Sequence, residues 1–127
     1  MIVVDTSALM AIVLDEPQAD ICISRLATEP DVLISAGTVA EALIVAGRSG
    51  FEAKMARVID QFDFVIETVT PSTARRVAEA YGRWGKGVHP AALNFGDCFA
   101  YELAHTNRCA LLFVGKDFAQ TDIVSAI

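Results

Sequence analysis

Ile2-Val3-Val4-Asp5-Thr6-Ser7-Ala8-Leu9 opens the chain, and Ala110-Leu111-Leu112-Phe113-Val114-Gly115-Lys116-Asp117 stands near its other end. Each begins as a short apolar run of the kind a buried strand needs. Each then runs into a carboxylate where the chain would leave a sheet. Asp5 follows the first run directly, and Asp117 lies three residues beyond Val114. Two acids at the exits of two strands converge only if those strands are neighbours, so the fold turns on whether these runs lie side by side.

Working outward, Thr6 or Ser7 is placed to cap a helix through Ala8–Leu14. Asp15-Glu16-Pro17 interrupts that helix and starts another, ending near Thr28-Glu29-Pro30. Val32-Leu33-Ile34 reads as a second strand, and Thr38 to about Ala46 as a helix with Gly47 and Gly50 at its exit. Met55, Val58, Ile59 and Phe62 carry helical spacing through Phe51–Gln61, and Phe64-Val65-Ile66 is a third strand. Thr70-Pro71 opens a helix that reaches Tyr81 or Trp84, with Pro71 where its missing N–H costs nothing. Gly85 to Pro90 forms a loop, a helix follows from Phe95 or Gly96 to Thr106, and Ile123-Val124 offers a short fifth strand. Strands alternating with helices, each strand apolar throughout, predict a parallel sheet covered on both faces. The expected fold is therefore α/β, a three-layer α/β/α arrangement in one domain over residues 1–127, binding its ligand beyond the carboxyl ends of the strands.

Composition supports a large core: 54% of residues are hydrophobic and mean hydropathy is +0.44. No apolar run approaches the ~18 residues that span a bilayer, so no membrane role is expected. The N-terminus lacks the basic region of a signal peptide. Cys22, Cys98 and Cys109 are an odd count without CxxC spacing, which reads as free thiols in a reducing cytoplasm. The formal charge of −6 gives no general attraction to nucleic acid, which relies on Lys and Arg neutralising phosphates. Either the partner is not nucleic acid, or a metal ion inverts the sign of an acidic pocket.

Four acids stand where such a fold would gather them. Asp5 also fits a helix N-cap. Glu41 is the only charge between Ser35 and Ile44, though Thr38 three residues earlier also allows a capping box. Asp97, in Asn94-Phe95-Gly96-Asp97-Cys98-Phe99, opens an apolar helix and complements its dipole. Each acid has a local explanation, but those explanations do not predict that all four would meet at one sheet edge. Oxygen ligands without His or Cys favour Mg²⁺, with Mn²⁺ as a substitute, and such ions can align a phosphodiester and activate water.

These segments, with Val3-Val4-Asp5-Thr6-Ser7-Ala8, Glu41, Leu93-Asn94-Phe95-Gly96-Asp97-Cys98 and Leu111 to Phe118 in order and followed by Thr121-Asp122-Ile123, resemble the PIN-domain family and, within it, VapC-type toxins. The resemblance implies a five-stranded parallel sheet of order 3-2-1-4-5 and metal-dependent cleavage of RNA. It implies catalytic roles for Asp5, Glu41, Asp97 and Asp117, with Asp5, Asp97 and Asp117 on the metal. Thr6 or Ser7 would hold a metal-bound water or the substrate phosphate. It further implies a VapB-like antitoxin as partner, and a homodimer. Lys116 departs from the pattern: many relatives carry a further acid before the final Asp, so a second metal at Asp117 is left open, and Asp122 is better placed to order the C-terminal turn.

Arg83 and Lys86 flank Trp84 before a Gly-rich loop, where charge and a stacking ring would coincide for RNA; the alternative is a solvated helix end with Trp84 packed on the core. His105, late in its helix, reads as a surface residue. The Ala8–Leu14 segment is apolar on every side, which predicts a groove for an antitoxin helix or a second copy, shared with Phe51 or Met55; burial within the chain is the alternative. A signalling receiver domain fits poorly, because Asp5 is unpaired and Asp63 precedes its strand. A PIN-like module that binds RNA or protein without catalysis remains the competing reading, on account of Lys116.

Overall fold

The computed structural model describes residues 1–127. Strands β1 (Ile2–Val4), β2 (Val32–Ser35), β3 (Val65–Glu67) and β4 (Ala110–Leu112) form one parallel sheet of order β3-β2-β1-β4. The registers Ile2 with Val32 and Ile2 with Ala110 put β1 at the centre, between β2 and β4. The two acid-bearing strand exits are therefore adjacent.

The helices are α1 (Thr6–Val13), α2 (Ala19–Thr28), α3 (Ala36–Arg48), α4 (Glu52–Gln61), α5 (Pro71–Trp84) and α6 (Asp97–Asn107). Alternation along the strands divides the core. Ile2, Val4, Ile34 and Leu112 face Leu9, Val13, Leu26, Met55 and their neighbours on α1 to α4. Val3, Leu33 and Leu111 face Val77, Trp84, Cys98 and Leu103 on α5, α6 and the segment between them. Two apolar layers thus sandwich the sheet, and each fully buried Leu, Ile or Val side chain contributes about 1.5–3 kcal/mol of burial.

Several expectations change. The fifth strand shrinks to one parallel bridge between Leu111 and Ser125, flanked by the Leu111 N–H donating to the Val124 carbonyl and the Ala126 N–H to the Leu111 carbonyl. A single paired residue leaves four strands in the sheet, not five. β3 is an edge strand, and its Val65 and Ile66 are exposed rather than buried. Met55 is fully buried. So is most of α1, which is wedged among α2, α3 and α4; Ala8, Leu9, Ala11 and Val13 are sealed inside the chain, Met10 and Ile12 are partly buried against the same core, and Leu14 is exposed. The all-round apolar character of this segment thus reflects a central helix and not a docking groove.

Local chemistry explains where the helices begin. Neither Thr6 nor Ser7 caps α1; Asp5 does, accepting from the Ser7 N–H. α3 starts two residues before Thr38, because Ser35, the last residue of β2, accepts from the Gly37 N–H. That removes Thr38 from the cap position and the capping box with Glu41 along with it. Thr70 caps α5 with Pro71 in the first turn, as its sequence requires.

Candidate active site

The exit of β1 is fixed to the exit of β4. The Asp5 N–H donates to the Leu112 carbonyl at 3.0 Å, and the Val114 N–H donates to Ser7 Oγ at 3.0 Å. Ser7 in turn donates its own hydroxyl to Asp5 Oδ2 at 2.6 Å, beside its backbone N–H at 2.9 Å. Asp5 is therefore both a helix cap and a held carboxylate: Oδ2 takes two hydrogen bonds, while Oδ1 is buried with no donor at all. A buried carboxylate oxygen without a partner is costly.

Glu41, on α3, is half-buried, and its Oε1 accepts from the Thr6 hydroxyl at 2.6 Å. Its other oxygen lies against Gly96, where a Cβ would overlap the carboxylate. That glycine lets the start of α6 approach α3. Asp97 is held by reciprocal bonds with Asn94. The Asn94 N–H donates to Asp97 Oδ2 at 3.0 Å, and the Asp97 N–H donates to Asn94 Oδ1 at 2.8 Å. Asp117 is exposed beyond the turn at Gly115, whose φ of +111° suits glycine.

Electrostatics tie the four together. Burial pushes the Asp97 carboxyl up to about 7; the Asn94 N–H counters this, and the negative charges of Asp5, Glu41 and Asp117 push it further up. Burial likewise raises Asp5 to about 6, opposed by the hydrogen bonds from Ser7 and assisted by the charge of Glu41. Cys98, next to Asp97, is raised to about 11 by burial and stays a thiol, donating to the Asn94 carbonyl. The available donors are thus carboxylate oxygens. An orphaned buried oxygen and mutually repelling acids match the needs of a hard divalent cation. No three of the side chains stand close enough to enclose an ion as they are, so the donor set is open.

The other candidates lie elsewhere or have other partners. Thr6 and Ser7 direct their hydroxyl protons at Glu41 and Asp5 instead of outward. Trp84 is 9% exposed, covered by the Arg83 guanidinium 4.6 Å from its ring centroid and by the edge of His89. The stacking ring expected between Arg83 and Lys86 is therefore not available on the surface. Arg83 pairs with Asp122 at 3.7 Å, and Lys86 is exposed. His89 accepts from the Ala91 N–H through Nδ1, and His105 stacks on Tyr101. Asp122 accepts from the Tyr101 hydroxyl, which anchors the C-terminal segment. Asn94 and Gly96 are the site residues that sequence reasoning passed over. An Asn three residues before a helix-opening Asp was the available signal for the first.

With this geometry in view, residues 2–124 match the family model described as PIN domain. The chain belongs to the PIN-domain family. It is 42% identical over 125 residues to VapC ribonuclease Mb2004c of Mycobacterium bovis, an alignment covering 95% of this chain and 90% of that one. It is 38% identical over 127 residues to Ribonuclease VapC of Mycolicibacterium smegmatis, covering 97% of this chain and 98% of the relative. Among solved structures, the PIN fold is shared with Mycobacterium tuberculosis VapC20, described as a sarcin-ricin loop cleaving toxin. That match has a TM-score of 0.79 at 18% identity and covers 98% of this chain and 97% of that one. A toxin–antitoxin complex from Klebsiella pneumoniae matches with a TM-score of 0.73 at 19% identity, covering 100% and 98%.

Proposed function

We propose that this PIN domain is an endoribonuclease, the toxin half of a VapBC-type pair, and that Asp5, Glu41, Asp97 and Asp117 form its metal-dependent site. The observation that carries the reading is the placement of the acids: Glu41 is held by Thr6, next to Asp5, and lies against Gly96, next to Asp97, in a site where a buried Asp5 oxygen meets no donor. Relatives 38–42% identical over nearly the full chain are named ribonucleases, which supports RNA as substrate.

Asp5, Asp97 and Asp117 would hold the cation, Mg²⁺ with Mn²⁺ able to replace it. Once bound, it supplies the positive potential that draws in a phosphodiester and promotes attack by water. The chain's own contribution is orientation. Ser7 fixes Asp5 so that Oδ1 is left free, Thr6 holds Glu41, and Asn94 holds Asp97. Gly96 leaves Glu41 room at the seam between α3 and α6. Such aligned carboxylates cost little reorganisation when substrate arrives. Lys86 and Arg83 remain proposed contacts for more distant RNA phosphates. A VapB-like antitoxin is the proposed partner, with a homodimer as the assembled state. No helix is long and apolar enough to cross a membrane, and the free cysteines support a cytoplasmic location.

The test is cleavage of total RNA by the purified protein with Mg²⁺, Mn²⁺ or chelator, with Asp97→Asn as control. Discrete cuts that require the cation, and a loss of at least about 100-fold in the variant, are expected. Equal cleavage by Asp97→Asn would remove the acid site from the mechanism.

A further inference from the structure

Beside the acids runs an open groove of about 480 Å³ between α3 and the entry to α6, and Glu41 forms part of its wall. Phe95 lies in it with 68% of its surface exposed, an unusual position for an aromatic ring next to a dense core. The ring is supported from behind. Phe99 meets it edge-on, with centroids 5.1 Å apart and planes at 82°, and Phe99 itself presses on Gly37, where a Cβ would overlap the ring. Arg48 also lines the groove, exposed and without a carboxylate partner. Glu41 and Arg48 lie two turns apart on α3, about 10 Å along its axis.

A supported aromatic face sharing one groove with a carboxylate and a free guanidinium has the components of a single-strand subsite: a base stacks while a cation holds the backbone. We propose that this groove seats the nucleotide adjoining the scissile phosphodiester, with its base stacked on Phe95 and a neighbouring phosphate on Arg48. The proposal rests on the ribonuclease reading and adds to it the residues that choose the substrate. What favours RNA over a protein segment is that the groove is continuous with the acids, where the phosphodiester must lie, and carries an unpaired guanidinium suited to a phosphate. Stacking tolerates any base, so the groove would rank bases by stacking strength instead of reading one of them through hydrogen bonds.

The experiment uses synthetic RNA oligonucleotides carrying a mapped cleavage site, with an abasic nucleotide placed at each flanking position in turn. Wild type, Phe95→Ala, Phe95→Trp and Arg48→Gln are compared by kcat/KM. Phe95→Ala is expected to cost about 10–100-fold on intact RNA. The abasic substitution at one flanking position should cost wild type a similar factor, and the two changes together should cost no more than either alone. Phe95→Trp should retain the rate, and Arg48→Gln should flatten the salt dependence. An unchanged rate for Phe95→Ala, or losses that multiply at every abasic position, would overturn the proposal. So would a Phe95→Ala protein that cleaves normally but escapes inhibition by its antitoxin, since the groove would then serve a protein. If wild type cuts no RNA with either cation, the ribonuclease reading itself falls, an outcome distinct from a normal rate in the variant.

Discussion

Replacing Asp97 by Asn should make the cation-free protein more stable while abolishing its chemistry. The carboxyl is raised from 3.8 to about 7 by burial and by three neighbouring negative charges, so near pH 8 the fold holds it ionised at a cost. A shift of about three units corresponds to at most ~4 kcal/mol. Asp97 is buried with only slight solvent contact, and relaxation of the surroundings about a buried charge reduces that figure, so the expected gain is about 1–2 kcal/mol. For a chain of this length that raises Tm by about 4–8 °C. Asn can keep the bond from the Asn94 N–H, so little is lost in exchange. The sign follows from linkage. The unfolded chain gives up its proton near 3.8 and the folded one only near 7, so raising the pH through that window favours unfolding of the wild type. The advantage of Asp97→Asn should therefore be full at pH 8, fall by more than half at pH 5, and close towards pH 4. Thermal melts in chelator at these pH values measure it. In Mg²⁺ the wild type alone should gain stability, because the cation binds the folded acids. A variant that melts at or below wild type at pH 8, or a gap that does not change with pH, would refute the account of Asp97 as a charge held against its own surroundings.

Gly96→Ala places a methyl group on the Glu41 carboxylate, and cleavage should fall by more than about 100-fold with a stability cost of about 1–3 kcal/mol; activity and melting measured on one preparation separate the two effects. Ser7→Ala removes the hydroxyl that joins Asp5 to the Val114 N–H, and a loss of about 10-fold or more in kcat with little change in KM is expected from steady-state kinetics. Leu9→Ala opens a cavity in a fully buried part of α1 and should cost about 2–5 kcal/mol in urea melts, because no partner is needed to bury this helix.

The strand exits were legible in the sequence because a parallel strand buried on both faces must be apolar throughout, so the first polar residue marks the sheet edge. That reasoning located Asp5 and made the neighbourhood of β1 and β4 the deciding question, while the order that places them side by side came from the family resemblance. It was less informative where hydrophobicity has more than one cause. Ala8–Leu14 is apolar because three helices of the same chain surround it, and the pattern alone does not distinguish this from a surface awaiting a partner. Val65 and Ile66 have the composition of buried strand residues yet lie on the open edge. Trp84 stands between basic residues in sequence, but its ring packs inward and Arg83 folds over it. Local contacts among the acids were hidden for a related reason: Thr6 meets Glu41 only after α3 has docked on α1, and Gly96 meets it only after the start of α6 has docked on α3.

The Ser7 hydroxyl bonds at once to the carboxylate leaving β1 and to the N–H leaving β4. It makes the two strand ends a single mechanical unit. A displacement at Val114 must be absorbed at Asp5 or break a hydrogen bond on the way. Substitutions in the Phe113–Asp117 segment that never touch the first acid therefore still act on its aim, and their effects on cleavage measure how stiff that joint is.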